Sequence, residues 1–241
     1  GGDDTFIVEG ADQGYDKITG GEGYDTILGG TGDDTISLNN FRDDQTVEEI
    51  DGGDGINVIA GGPSNYDYLD FSNTKLTNID RIDAGSHNDT VIGSDEADVI
   101  VGGTGNDTLN GGAGNDTYIF NAGDGRDVIY DSGTSNAGDD TLQFGEEIRS
   151  NDIAFYQDDN NLVIGINGND QIIVRDQIQA DNAIENFQLG DGSFMTSTDI
   201  NLLIQEMTAF SQDQGISFSS VDDVRNNQDL MNIVVHSWHQ S

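Results

Sequence analysis

Aspartates at a fixed spacing are the first residues in this chain that can do chemistry. Gly20-Gly21-Glu22-Gly23-Tyr24-Asp25-Thr26-Ile27-Leu28 is followed at once by Gly29-Gly30-Thr31-Gly32-Asp33-Asp34-Thr35-Ile36-Ser37. Residues 102–110 and 111–119 repeat that frame closely, and residues 11–19, 84–92 and 93–101 keep it in degenerate form. The frame is G-G-x-G-x-D-x-U-x, with U a large apolar residue. It sets one carboxylate at the sixth position of each unit: Asp16, Asp25, Asp34, Asp89, Asp98, Asp107 and Asp116. Carboxylates embedded in exposed glycine backbone make an oxygen-only donor set. Such a set suits Ca²⁺, which takes about 6–8 oxygens at roughly 2.3–2.6 Å.

Positions 1 to 6 must turn sharply, and glycine supplies the positive φ and the uncovered carbonyls for that. Positions 7 to 9 read as a short strand whose central residue points inward. Two units complete one coil, so turns on one side recur every second unit and stack at the ~4.8 Å spacing between strands. The frame thus stacks Asp89 with Asp107, Asp98 with Asp116, and Asp16 with Asp34. Asp25 needs a partner in the next turn on its side; Asn57 is the candidate if residues 38–51 loop out. The expected carbonyl ligands lie at turn positions 1 and 3: Gly20, Glu22, Gly29, Thr31, Gly93, Asp95, Gly102, Thr104, Gly111 and Ala113. Asp127 and Asp140 extend the pattern into looser turns. The inward ladder is Ile18, Ile27, Ile36, Ile59, Val91, Ile100, Leu109 and Tyr118.

Such a ladder is narrow, and each full side chain contributes only about 1.5–3 kcal/mol on burial. Ordering a residue costs a similar amount. Across 241 residues there are 46 Asp+Glu against 8 Lys+Arg, a net charge of -38, with 34% hydrophobic residues. Low hydrophobicity with high charge describes a disordered polymer unless something cationic joins it. The same charge argues against nucleic acid and anionic membrane as partners, since both need a basic surface. No cysteine is present, which excludes disulfide and thiol chemistry. Of the acids, 37 are Asp and 9 are Glu, a skew toward turns and short ligand loops.

At these residues the chain resembles the RTX (repeats-in-toxin) haemolysin-type calcium-binding family. The resemblance implies an all-β, right-handed parallel β-roll (β-helix) over residues 1–145, with an irregular middle at 38–83. It also implies several Ca²⁺ ions, a C-terminal position in a larger protein, export by the type I secretion machinery, and folding outside the cell. Residues 63–81 match no repeat, though Leu69-Asp70-Phe71 and Leu76-Thr77-Asn78-Ile79 look like further strands.

Residues 146–241 lose the glycine repeat. Strands at 153–156, 162–166 and 171–175, and a pair around Gly190-Asp191-Gly192, read as a small antiparallel β cap. Asp199 is expected to cap a helix carrying Ile200, Leu203, Ile204, Met207 and Phe210 on one face. A second helix is expected over residues 221–236, the tail overlapping a secretion signal. His236 and His239 lack the partners of a zinc site, and turn position 3 is too varied for an ice-binding array. The chain contains no H-E-x-x-H, G-x-S-x-G or P-loop sequence, so no enzyme is expected.

The expected function is calcium binding coupled to folding, within the C-terminal region of a large secreted or surface-associated bacterial protein. An adhesin is favoured because the roll is irregular. The alternatives are a secretion and folding module for an upstream hydrolase or toxin, and a calcium-dependent glycan-binding roll. No membrane insertion is expected, because no apolar run approaches the ~20 residues of a span.

Overall fold

The computed structural model describes residues 1–10, 14, 17–42, 45–63, 66–131, 138–179 and 182–240. Short strands alternate between opposite faces of a parallel roll. Strands β1 (Thr5–Ile7), β2 (Thr26–Leu28), β4 (Glu49–Asp51) and β7 (Lys75–Thr77) form one sheet. A second sheet begins with β3 (Thr35–Ser37), β5 (Val58–Ala60), β8 (Arg81–Asp83), β10 (Val99–Val101), β12 (Thr117–Phe120) and β14 (Thr141–Phe144). A third contains β6 (Tyr68–Asp70), β9 (Thr90–Ile92), β11 (Thr108–Asn110) and β13 (Arg126–Ile129). Each strand in these runs pairs in parallel with its neighbour.

The second sheet runs the length of the roll, while its facing sheet changes midway. Between β5 and β8 the chain makes two strands instead of one: β6 opens the third sheet and β7 closes the first. The described residues of 38–51 therefore do not loop out. They carry β4 and bury Leu38, Phe41, Val47 and Ile50, and Phe41 stacks on Phe71 at 5.1 Å between centroids. These apolar side chains could not leave the core without losing the burial that holds the chain there.

The inward ladder is a continuous core. Ile27, Ile36, Ile59, Val91 and Ile100 are fully buried, Leu109 and Tyr118 nearly so, and Ile18 packs against them partly buried. Ile50, Leu69, Leu76, Ile82, Ile129 and Leu142 extend it through the irregular coils. Turn glycines allow the coils to stack backbone on backbone. A Cβ at Gly103, where φ is +85°, would lie 2.0 Å from the carbonyl oxygen of Gly85.

The C-terminal end continues the same two faces. Strands β15 (Ala154–Asp158), β16 (Asn161–Gly165) and β17 (Gln171–Val174) form an antiparallel meander, and β17 lies parallel to β13. Likewise β18 (Asn186–Gln188) lies parallel to β14 and antiparallel to β19 (Phe194–Thr196). The last coils thus offer their edges to strands that then reverse direction, which removes an open parallel edge.

Helix α1 (Ser197–Gln214) is capped by Thr196, not Asp199. Asp199 sits three residues in, where it accepts the Thr196 N–H at 2.8 Å and completes a capping box. The expected helix over residues 221–236 is two, α2 (Val221–Arg225) and α3 (Gln228–His236), because the Asn227 side chain caps a new start by accepting from the Asp229 and Leu230 N–H groups. Trp238 packs its ring against Phe144 and Phe155, joining the tail to the end of the roll.

Candidate metal centre

The residue at the start of most roll strands, usually the one just before the strand, is where the chemistry collects. Its backbone N–H donates to a side-chain oxygen of the equivalent residue one coil further on. Before the third sheet, Asp67 donates to Asp89 at 2.6 Å, Asp89 to Asp107 at 2.7 Å, and Asp107 to Asp127 at 2.9 Å. Before the second sheet, Asp98 donates to Asp116 and Asp116 to Asp140, both at 2.8 Å, and Asp140 donates to Glu185 at 2.9 Å. Asp34 donates to Asn57 at 3.1 Å and Asn57 to Asp80 at 2.6 Å. Before the first sheet, Asp4 donates to Asp25 and Asp25 to Glu48, both at 2.7 Å.

Three acid columns result, one before each sheet, and every ladder bond except that to the Asn57 amide uses one carboxylate oxygen. At Asp25, Asp89, Asp107 and Asp116 the other oxygen, Oδ2, is buried without a hydrogen-bond partner. At three of them it faces the first glycine of its own turn: a Cβ at Gly20, Gly102 or Gly111 would stand 2.2, 2.6 or 2.0 Å from the Oδ2 of Asp25, Asp107 or Asp116. A buried, unpaired carboxylate oxygen is expensive unless a cation meets it. Glycine at that position keeps the approach open. The donor set is hard and anionic, which fits Ca²⁺.

Asp34 and Asp98 are arranged differently. Asp34 Oδ2 accepts from the Gly30 N–H at 2.6 Å, and Gly29 is pressed against the Gly52 carbonyl. Asp98 Oδ2 accepts from the Ser94 N–H at 2.7 Å and the Ser94 hydroxyl at 2.9 Å, although Gly93 abuts it as the other first glycines do. In both, Oδ2 is satisfied within its own turn. Asp16 lies outside the described residues, and Gly10, rather than an aspartate N–H, donates to Asp34 Oδ1.

The expected partnership of Asp25 with Asn57 is replaced. Asp25 meets Glu48, and Asn57 belongs to the column of Asp34. Asn57 is fully buried, and its Nδ2 donates to the carbonyl of Asn78 at 3.0 Å. That amide hydrogen occupies a backbone oxygen and brings no charge, so Asn57 offers a cation less than an aspartate would. Asp127 and Asp140 are buried column members, in longer steps of 20 and 24 residues. Among the turn carbonyls, those of Glu22 and Thr104 already accept the N–H of Gly2 at 2.6 Å and of His87 at 2.7 Å. Thr31 and Asp95 are exposed on the outside of their turns, and Ala113 is half-buried.

Asp4, Glu48, Asp67, Asp80 and Glu185 are column members that repeat counting missed. A signal for them existed: each stands two residues before a large inward residue, as in Asp67-Tyr68-Leu69 and Asp80-Arg81-Ile82. Glycines are absent around Glu48, Asp80 and Glu185, and those near Asp4 and Asp67 stand off the nine-residue spacing, so a search anchored on the frame passes over them.

Burial pushes these carboxyls up, to about 6 for Asp89, about 7 for Asp107 and Asp116, and about 8 for Asp127. Desolvation is the main cause in each case, and the neighbouring column acid adds to it. The columns therefore select strongly for a bound cation or a bound proton.

Residues 10–44, 83–118 and 92–129 match the family described as RTX calcium-binding nonapeptide repeat (4 copies). Residues 161–199 match the haemolysin-type calcium binding protein related domain. No curated protein matches the chain. The repeat matches leave out residues 45–82, where the facing sheet changes. With glycine turns, acid columns and both family matches in agreement, residues 10–44 and 83–129 are RTX haemolysin-type calcium-binding repeats, and residues 161–199, at the end of the roll, match the related haemolysin-type domain.

Proposed function

We propose that this chain is a calcium-gated folding module. The observation that carries the reading is the set of buried, partnerless Oδ2 atoms at Asp25, Asp89, Asp107 and Asp116. Without a cation each of these burdens the folded state. With one, each Ca²⁺ neutralises up to two column charges and joins successive coils, so binding energy becomes folding energy. Extracellular calcium modules bind at roughly 10⁻⁴–10⁻³ M. A chain tuned to that range stays open at cytosolic calcium and closes outside the cell, as export through a type I secretion channel requires.

The parent in this reading is a large exported surface protein of the adhesin kind, and the roll acts by binding and folding rather than by catalysis. The coils that add a third face between β5 and β8 favour an adhesin over a compact enzyme tail. The test is circular dichroism with limited proteolysis, in metal-depleted buffer and in millimolar calcium. A cooperative gain of β signal and protease resistance on adding calcium is expected. A full β signal with unchanged melting temperature after exhaustive chelation overturns the proposal.

A further inference from the structure

The end of the roll departs from the repeat in one respect that changes its chemistry. Strand pairing sets Leu109 beside Ile129, and the Tyr130 N–H donates to the Leu109 carbonyl at 2.8 Å. Two residues beyond that pair, Asp131 therefore stands beside Gly111, in the place where the repeats carry their first glycine. A Cβ at Gly111 would press within 2.0 Å of Asp116 Oδ2. In the next coil a whole carboxylate side chain enters that space.

Asp116, Asp131 and Asp140 each offer one oxygen, and those oxygens lie within 4.8 Å of one another. All three residues are 1% exposed. Asp116 Oδ2 is buried there with no hydrogen-bond partner. Asp116 and Asp140 are fixed by the column, through the 2.8 Å bond from the Asp116 N–H to Asp140 Oδ1. Asp131 is fixed by Tyr118, the aromatic member of an otherwise aliphatic run. Tyr118 Oη accepts the Gly111 N–H at 2.5 Å and donates to Asp131 Oδ1 at 2.8 Å. Three carboxylates this close cannot all stay ionised in a buried site without a counter-charge.

We propose that Asp116, Asp131 and Asp140 form a three-carboxylate calcium site where the roll meets its cap, and that it binds more tightly than the ordinary turns. The inference rests on the calcium reading above and adds Asp131 as a ligand outside the repeat frame. Affinity in oxygen-ligand sites rises with the number of charged ligands. Tyr118 is a positioning residue in this arrangement: its hydroxyl aims Asp131 while supplying no charge.

The test is calorimetric calcium titration of the whole chain, as wild type, Asp131→Asn and, as a control at the exposed end of β15, Asp158→Asn. A third carboxylate should give the wild type one class of site about tenfold or more tighter than the rest. Asp131→Asn should lose that class and keep the weaker ones, while Asp158→Asn keeps both. A tight class that persists in Asp131→Asn overturns the proposal and leaves the calcium reading intact, whereas a wild type that binds no calcium defeats both. Should Asp131→Asn fail to fold, terbium titration with tyrosine excitation supplies the second readout. The emission that saturates first should fall in Tyr118→Phe, whose carboxylates are all intact, and an unchanged first phase would also overturn the site.

Discussion

The N–H of Asp89 donates to Oδ1 of Asp107 at 2.7 Å, while Oδ2 of the same Asp107 is buried and unpaired. One carboxylate thus serves two purposes: one oxygen holds the register of the coils and the other is left for a cation. Asparagine would keep an oxygen acceptor for the ladder and remove the charge. Asp107→Asn should therefore fold with the native register yet lose calcium capacity. At calcium a hundredfold above the dissociation constant, one lost site costs about 2.7 kcal/mol. Thermal melts should show a clear deficit in calcium that vanishes in metal-depleted buffer at pH 8.

Acid should stabilise the metal-free roll. The carboxyls of Asp89, Asp107, Asp116 and Asp127 rise from 3.8 to about 6, 7, 7 and 8 in the folded state. Between those limits the folded chain holds more protons than the unfolded one, so stability is lost as pH climbs through 6 to 8. Calcium reverses the trend, because protons then compete with the metal. Melting temperatures from pH 5 to pH 8, measured in metal-depleted and calcium buffers, should slope in opposite directions. Parallel slopes would contradict the columns as cation sites.

Glycines within the repeat turns should differ in their tolerance. Gly103 has φ +85°, and a Cβ there would meet the Gly85 carbonyl at 2.0 Å. Gly32 has nothing within 4 Å. Gly103→Ala should destabilise the calcium-loaded protein by several kcal/mol, on the order of 2–4, through strain and coil separation. Gly32→Ala should stay within about 0.5 kcal/mol of wild type. Denaturant melts in calcium read both.

Asn57 offers the reverse experiment. Its Nδ2 donates to the Asn78 carbonyl at 3.0 Å and closes its turn without a charge. Asn57→Asp removes that donor and adds a buried charge between Asp34 and Asp80. The variant should lose about 1–3 kcal/mol in metal-depleted buffer. Calcium should restore most of the loss, seen as a steeper dependence of melting temperature on calcium concentration.

Trp238 ties the tail to the last coils through Phe144 and Phe155. Trp238→Ala should cost about 3–5 kcal/mol, as for other buried aromatic truncations. The loss should be similar with and without calcium, since the contact lies outside the acid columns.

The nine-residue frame was legible because it is a local property. Glycine conformations, an acid ahead of a three-residue strand and an inward apolar residue are all written within one unit, so Ile27, Ile100 and Leu109 could be placed inward and Asp89 could be set against Asp107 from the sequence alone. Stacking partners across insertions are not local. An inserted loop can be absorbed outside the coil or folded into it, and only the burial of Leu38, Phe41 and Val47 decides that residues 38–51 form a coil of their own. That choice gives Glu48 to Asp25 and Asn57 to Asp34. The same physics brings Asp131 to Asp116 and Asp140, since no count of residues reveals which side chain takes a glycine's place once the last turn has lengthened. Sequence spacing named the ligand type and its repeat; tertiary packing chose which carboxylates meet.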